Sequence, residues 1–205
     1  ARYNHLMSVC VFGDSIAWGA YDPEHGGWVT LLRNYIEGEW ERLNDKSAYN
    51  LGINGETTAS LLPRFEIEFK SREPEIVVFA LGTNDSCFWN IGGKQLVPIE
   101  EFKKNLLDLT CLAKKYTNKI VFVGLTPIDE KVTHPFDNEN TFISVETIKY
   151  NYAIQKHCSQ HHLVFVDLAS HLTIQDIDDG VHPNSAGHQK IFEVVKLVVE
   201  KMILS

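Results

Sequence analysis

EIVVFAL, at residues 75–81, is the clearest strand in the chain, and a polar turn with the sequence GTND follows it at residues 82–85. The run is almost continuously apolar and rich in β-branched residues, which is typical of a strand buried on both faces. Three further runs have the same character, at residues 7–12, 119–125 and 163–168, and residues 47–51 are predicted to form a weaker strand. Stretches with helical periodicity separate the runs. This alternation predicts a parallel sheet, because parallel strands need long crossover connections.

The apolar residues between the strands recur every three or four positions, as they do in amphipathic helices. One predicted helix begins at Trp28, and its apolar stripe extends through Trp40 and Leu43. Four further helices are predicted to begin at or near Thr57, Pro98, Ser144 and Ser185. Pro63 lies inside one of them and predicts a kink or an early break. We therefore expect an α/β fold, with helices on both faces of a five-stranded parallel sheet, as a single domain over residues 1–205.

The charge balance of the chain excludes some classes of ligand. Its 205 residues include 19 Lys and Arg against 27 Asp and Glu, a formal net charge of −8. Nucleic acid is not expected as a partner, because phosphate binding needs a concentrated basic surface and the sequence has no basic run. We expect no membrane span, because the longest apolar runs are far shorter than the roughly 18 residues that a spanning helix needs.

The cysteines bear on the compartment of the protein. The four are Cys10, Cys87, Cys111 and Cys158, with no C-x-x-C spacing. Cys10 lies in an apolar run and Cys111 on the apolar side of a predicted helix, so we expect both to be small core residues. Because no disulfide framework is visible, we expect a cytoplasmic protein, with a processed N-terminus ahead of Ala1 as the alternative.

Polar and small residues concentrate directly after the predicted strands. The segments are GDS (13–15), GINGET (52–57), GTND (82–85) and a last loop with Asp176, Asp178, Asp179 and His182. The carboxyl ends of parallel strands meet at one edge of a sheet, where ligands bind in open α/β folds. A hydroxyl, an imidazole with carboxylates, and amide donors would therefore come together. These are the groups that acyl transfer needs.

Each of these groups has a specific role in that chemistry. A serine hydroxyl such as Ser15 needs an imidazole to remove its proton, and His182 supplies one. Asp179, three residues earlier, can fold back to the other ring nitrogen of His182 and fix its tautomer. The candidate oxyanion donors are the backbone amides of Ser15 and Gly55 and the side-chain amide of Asn84. Gly55 has no Cβ, so its amide can approach a ligand closely.

Four blocks of the sequence resemble, in the same order, the conserved blocks of the SGNH (GDSL-type) hydrolases. They are FGDSIAWG (12–19), NLGINGETT (50–58), LGTND (81–85) and DGVHPN (179–184). The resemblance implies a three-layer α/β/α sandwich of flavodoxin-like type. It also implies an esterase or lipase-like acyl hydrolase with Ser15 as nucleophile, His182 as base and Asp179 as its partner, and with Gly55 and Asn84 as oxyanion donors. The expected substrate is a carboxylic or thio ester of a small or lipid-like molecule, and no cofactor is expected.

Other assignments remain open at this point. Asp14 and the acids at 176–179 could serve a metal-dependent phosphohydrolase, although we expect no metal. Asp178 could replace Asp179 as the partner of His182, and a non-catalytic binding module on the same fold is a further alternative. The α/β-hydrolase fold shares the order of the triad but requires a G-x-S-x-G elbow deep in the chain, which Ser15 lacks.

The remaining residues near the blocks have weaker assignments. The aromatic residues Trp18, Tyr21, Phe88 and Trp89 are candidates to line a substrate pocket, with core packing as the alternative. Phe136, in the long loop at 126–142, is a candidate lid residue. Asp14, Gly52 and Asp85 are assigned to loop structure. Surface positions without a role are expected for His161, His162 and His188. Nothing in the sequence indicates acyl length, leaving group or oligomeric state.

Overall fold

The computed structural model describes residues 7–38, 46–90 and 93–204. Strands and helices alternate along the chain. They are β1 (Met7–Gly13), α1 (Ser15–Trp18), α2 (Trp28–Gly38), β2 (Lys46–Gly52), α3 (Thr58–Arg72), β3 (Ile76–Ala80), α4 (Thr83–Ser86), β4 (Phe88–Trp89), α5 (Ile99–Ala113), β5 (Lys119–Val123), α6 (Glu130–Thr133), β6 (Asn140–Thr141), α7 (Ser144–His161), β7 (Val164–Val166) and α8 (Ser185–Ile203). Within the described ranges, no helix combines the length and the apolar character needed to cross a membrane.

Five strands form the main sheet in the order β2-β1-β3-β5-β7, and all of their pairings are parallel. This is the strand order of flavodoxin-like folds. The order of the strands reverses between β1 and β3, which leaves a crevice at the carboxyl edge of the sheet at that point. The predicted five-stranded parallel sheet and the α/β/α arrangement are confirmed.

Two apolar layers cover the sheet because side chains alternate between its faces. On one face, Phe12, Phe79 and Phe122 of neighbouring strands lie side by side, with ring centroids 6.2 and 4.9 Å apart, under α3, α5 and α7. On the other face, Val78 and Val121 pack under α1, α2 and α8. All five side chains are buried. This double cover fixes the carboxyl edge of the sheet as a rigid base for the loops above it.

Two details differ from the sequence-based expectations, and a third expectation falls on residues that the structure does not describe. Cys111 is exposed rather than in the core, because it lies nine positions after buried Phe102, about 180° around α5. Helix α3 runs through Pro63 without an early break, since this proline is on the exposed side, where water can satisfy the carbonyl that it leaves free. Trp40 and Leu43 lie outside the described residues.

The long loop at 126–142 contains structure that the sequence pattern did not predict. It includes α6 and also β6, which pairs antiparallel with β4. In this pairing Trp89 lies opposite Asn140. The loop is therefore fastened beside the carboxyl edge of the main sheet.

Candidate active site

Ser15 is positioned by a tight junction between β1 and α1. A Cβ on Gly13 would lie 2.4 Å from the carbonyl oxygen of Ala80 on β3, so only glycine allows this close approach. Asp14 caps the helix, because its Oδ1 accepts a hydrogen bond from the backbone N–H of Ile16 at 2.9 Å. Ser15 therefore begins a one-turn helix at the carboxyl edge of the sheet, where its side chain is half-buried.

The last loop brings an imidazole and a carboxylate to this serine. The Nε2 atom of His182 lies 2.8 Å from Ser15 Oγ, and its Nδ1 atom lies 2.7 Å from Asp179 Oδ2. The other carboxylate oxygen of Asp179 accepts backbone N–H bonds from Val181 at 3.0 Å and from His182 at 2.8 Å. These two bonds explain how a carboxylate three residues before the histidine turns back to its ring. The three side chains form one continuous hydrogen-bonded chain.

The electrostatics of Asp179 fix the proton on the imidazole. Burial opposes the ionisation of Asp179, but its hydrogen bonds with the His182 ring and with the two amides outweigh this effect and hold its pKa below the usual value. Asp179 is therefore a carboxylate at neutral pH, and a carboxylate at Nδ1 keeps the proton on that nitrogen. The lone pair of Nε2 then faces Ser15, so the arrangement can accept the serine proton.

The carboxylates of the neighbouring acids, Asp176 and Asp178, make no hydrogen bond to the imidazole. The carboxylate of Asp176 contacts the ammonium group of Lys190 at 2.7 Å and the hydroxyl of Thr173 at 3.1 Å. Asp178 is exposed, and its backbone N–H donates to the carbonyl of His182 at 2.9 Å. The carboxylate that bonds the imidazole is thus Asp179 and not Asp178.

Across the described ranges, His, Cys, Asp and Glu side chains do not converge in groups of three or more that could hold a metal ion.

Three hydrogen-bond donors surround the space beside Ser15. Gly55 has a φ of +75°, in the left-handed region that favours glycine, and nothing lies within 4 Å of the position its Cβ would take. Asn84 follows β3, and its Nδ2 donates one hydrogen bond to the carbonyl of Glu56 at 3.0 Å, which leaves its second N–H available. Among the described residues, the backbone N–H groups of Ser15 and Gly55 donate to no protein acceptor. The arrangement can therefore receive an oxyanion.

Gly52 and Asp85 support this donor set from behind, although neither lies in a loop as the sequence suggested: Gly52 ends β2 and Asp85 lies in α4. A Cβ on Gly52 would lie 2.5 Å from the backbone nitrogen of Trp18, so β2 and α1 touch only because this residue is glycine. The buried carboxylate of Asp85 accepts from the backbone N–H of Thr58 at 3.0 Å. Burial raises the pKa of Asp85 to about 7. Its hydrogen bonds tie α4, which carries Asn84, to the start of α3.

A pocket of about 580 Å³ opens over Ser15, Gly55, Asn84 and His182. Its walls include the predicted aromatic residues Trp18, Tyr21 and Trp89, and also Phe136 from the long loop. The ring centroids of Tyr21 and Phe136 lie 5.0 and 6.4 Å from that of His182. Phe88 does not line this pocket, because it is adjacent to Trp89 in β4 and successive side chains of a strand point to opposite faces.

Sequence reasoning missed a buried anchor behind the pocket. His188, expected at the surface, is fully buried: its Nδ1 accepts from the backbone N–H of Trp28, and its Nε2–H donates to the carbonyl of Ala20, both at 3.3 Å. Burial holds the pKa of His188 below its usual value, so the ring is neutral. Asp22 accepts from the hydroxyl of Ser185 at 2.6 Å. The helical spacing between His188 and the buried apolar residues of α8 could have indicated that His188 is buried as well.

Known proteins of one family resemble this chain. A family model described as the GDSL-like lipase/acylhydrolase family matches residues 11–190. Among curated relatives, an uncharacterised lipoprotein of Bacillus subtilis is 29% identical over 127 residues, which are 60% of this chain and 49% of that protein. The human isoamyl acetate-hydrolyzing esterase 1 homolog is 23% identical over 211 residues, 95% of this chain and 82% of that protein.

The fold is shared with solved structures of esterases. A catalytic mutant of an acetylxylan esterase from Geobacillus stearothermophilus has a TM-score of 0.73 and 18% identity, over 97% of this chain and 96% of that one. The family model spans most of the chain, including all four sequence blocks up to the loop that carries His182. The chain therefore belongs to the GDSL-like lipase/acylhydrolase family, a membership that supports ester hydrolysis as its activity.

Proposed function

We propose that this protein is a serine esterase that cleaves carboxylic esters of small molecules through an acyl-enzyme on Ser15. The observation that carries the proposal is the hydrogen-bonded chain from Ser15 Oγ through His182 to Asp179, with distances of 2.8 and 2.7 Å. A hydroxyl in this environment can be deprotonated as it attacks, which an isolated serine cannot.

In the first half of the reaction, Ser15 Oγ attacks the carbonyl carbon of the ester while Nε2 of His182 takes the hydroxyl proton. Asp179 stabilises the imidazolium that forms. The oxygen of the tetrahedral intermediate accepts hydrogen bonds from the backbone amides of Ser15 and Gly55 and from the side chain of Asn84. The carbon–oxygen bond to the leaving group then breaks, and His182 donates its proton to the departing alkoxide.

In the second half, a water molecule replaces the alcohol. His182 removes a proton from the water as it attacks the acyl-enzyme, the same three donors hold the new oxyanion, and the bond to Ser15 breaks. The carboxylic acid leaves and the free serine is restored. Every proton moves between Ser15, His182 and the reactants, so the cycle requires no cofactor.

Acetate esters are the first substrates to consider. The names of the human relative and of the Geobacillus stearothermophilus neighbour both refer to acetyl esters. The pocket is lined by aromatic side chains beside the donor set, which suits a small acyl group. Thioesters pass through the same intermediates.

The carboxylates considered for a metal-dependent phosphohydrolase already have protein partners. Asp14 accepts a hydrogen bond from the first turn of α1, and Asp176 contacts the ammonium group of Lys190.

The test is the hydrolysis of p-nitrophenyl acetate, butyrate and octanoate in the presence of a chelator. We expect turnover in the unmodified protein, a loss of at least about 10³-fold in Ser15→Ala, and unchanged turnover in Ser159→Ala, an exposed serine on α7. Activity that persists in Ser15→Ala would contradict the serine mechanism. Hydrolysis of p-nitrophenyl phosphate that the chelator abolishes would favour the metal-dependent phosphohydrolase instead.

A further inference from the structure

A second depression adjoins the pocket over Ser15. This flanking groove has a volume of about 720 Å³, and Trp18 and Tyr21 line both it and the pocket. On the far side of these two aromatic residues the groove is lined by Asp22 and Asp178. A ligand whose ester group lies at Ser15 can therefore extend past Trp18 and Tyr21 into the groove.

The leaving group is the part of the ester that takes this direction. Its oxygen must lie within hydrogen-bond distance of Nε2 of His182, which returns the proton to it. The ring of Tyr21 lies 5.0 Å from the His182 ring, centroid to centroid, so an alcohol leaving from His182 passes beside Tyr21. Trp18 and Tyr21 are 54% and 61% exposed. Exposed aromatic faces of this kind attract cations, and tryptophan does so most strongly.

The fold holds Tyr21 in an unusual backbone conformation. Its φ is +62°, in the left-handed region that bulky residues rarely adopt. The residues on either side anchor it, since the carbonyl of Ala20 accepts from His188 and the carboxylate of Asp22 accepts from the hydroxyl of Ser185. Such strain persists where the surrounding structure enforces it, and it clusters at ligand sites. The backbone position from which the Tyr21 side chain extends is therefore built into the fold.

The charge of the groove is negative. Asp178 is exposed, and its carboxylate has no hydrogen-bond or ion-pair partner among the described residues. Burial works against the ionisation of Asp22, but hydrogen bonds from Ser185 and from backbone amides outweigh it and hold the pKa of Asp22 below its usual value. The residues that line the groove include neither Lys nor Arg. The groove thus favours a cation over a neutral or anionic group.

We propose that the flanking groove binds a cationic leaving group, an alcohol with an alkylammonium such as choline, against the exposed faces of Trp18 and Tyr21 and near the carboxylate of Asp178. This inference rests on the proposed function. The reaction remains a hydrolysis: the acyl–oxygen bond breaks, His182 returns its proton to the oxygen of the ammonium alcohol, and water completes the carboxylic acid.

The test compares kcat/KM for acetylcholine and for 3,3-dimethylbutyl acetate, which has the same shape with a carbon in place of the charged nitrogen. We expect a preference for acetylcholine of about 10-fold, which is the combined size of an exposed cation–π contact and an attraction to an exposed carboxylate. The preference should appear mainly in KM and should fall to about 2-fold in Tyr21→Leu and in Asp178→Asn. Glu101→Gln, an exposed acid on α5 at the opposite face of the sheet, removes the same charge and should keep the full preference.

The outcomes separate this inference from the proposed function. Two results would overturn the cationic subsite and leave the serine mechanism standing. In the first, p-nitrophenyl acetate is hydrolysed and acetylcholine is not preferred over 3,3-dimethylbutyl acetate. In the second, p-nitrophenyl acetate is hydrolysed and neither aliphatic ester is. A preference that survives in both Tyr21→Leu and Asp178→Asn would also overturn the subsite. Failure of the proposed function itself would appear as an absence of p-nitrophenyl acetate turnover together with an unlabelled Ser15 after treatment with a fluorophosphonate.

Discussion

Replacement of Asp179 by asparagine changes one contact and leaves its surroundings in place. The side-chain oxygen of an asparagine can still accept from the backbone N–H groups of Val181 and His182, now at 3.0 and 2.8 Å, so the loop should keep its shape. The amide NH2 would then face Nδ1 of His182, where the carboxylate lies at 2.7 Å. A donor at that position forces the ring into the opposite tautomer, with its proton on Nε2 and directed at Ser15.

An imidazole in that tautomer cannot take the serine proton, and the imidazolium also loses its negative partner. We therefore expect kcat to fall by about 10³ to 10⁴-fold, a rise in the barrier of about 4 to 5.5 kcal/mol. The assay is the hydrolysis of p-nitrophenyl acetate between pH 6 and pH 9, with thermal unfolding measured in parallel. Asp167→Asn is the matched control: this half-buried acid follows β7 and accepts from the N–H of Ala169 at 3.1 Å. Retention of more than a tenth of kcat in a folded Asp179→Asn protein would refute the reasoning.

Three further substitutions test the surroundings of the serine. Asn84→Ala should lower kcat on p-nitrophenyl acetate by about 10² to 10³-fold through the loss of one oxyanion donor, and an unchanged kcat would remove Asn84 from that role. Burial raises the pKa of Asp14 from 3.8 to about 6, so the folded protein binds this proton more tightly than the unfolded chain does, and stability is lost as pH rises from about 4 to about 6. Asp14→Asn keeps the cap without the charge, so at pH 8 it should be more stable than the unmodified protein by up to about 3 kcal/mol. At pH 4 it should have no such advantage. Urea denaturation that shows the same difference in unfolding free energy at both pH values would contradict this. Gly52→Ala places a Cβ 2.5 Å from the backbone nitrogen of Trp18, so it should cost about 1 to 3 kcal/mol of unfolding free energy and displace α1, which thermal denaturation and esterase rates would detect together.

The fold could be predicted from the sequence because four of the five strands of the main sheet are nearly all apolar, and β2, with two exposed residues, is the exception. Segments such as residues 75–81 are buried on both faces, so their composition alone separates them from the amphipathic helices. The order of the strands does not follow from any local pattern, and it was available only through the resemblance of four blocks to a known family. The single domain over residues 1–205 and the cytoplasmic location stay predictions.

The residues of the candidate site were predictable because each follows a strand that ends at the same edge of the sheet. Ser15, Asn84 and His182 come from widely separated segments, and parallel strands bring them together. The pairing of β4 with β6 was not predictable, because strands of two residues have no periodicity to detect. His188 was missed for a different reason: its ring bonds the backbone N–H of Trp28, at the start of α2, and the carbonyl of Ala20, in the loop after α1, and single-residue patterns do not report such partners.

Covalent labelling of Ser15 tests its role as the nucleophile most directly. The protein is treated with a fluorophosphonate, and peptide mass spectrometry then locates the adduct. The serine mechanism predicts a single adduct on Ser15, loss of esterase activity in proportion to labelling, and no adduct in Ser15→Ala. An adduct on another residue, or full esterase activity in a protein whose Ser15 stays unmodified at saturating reagent, would contradict it.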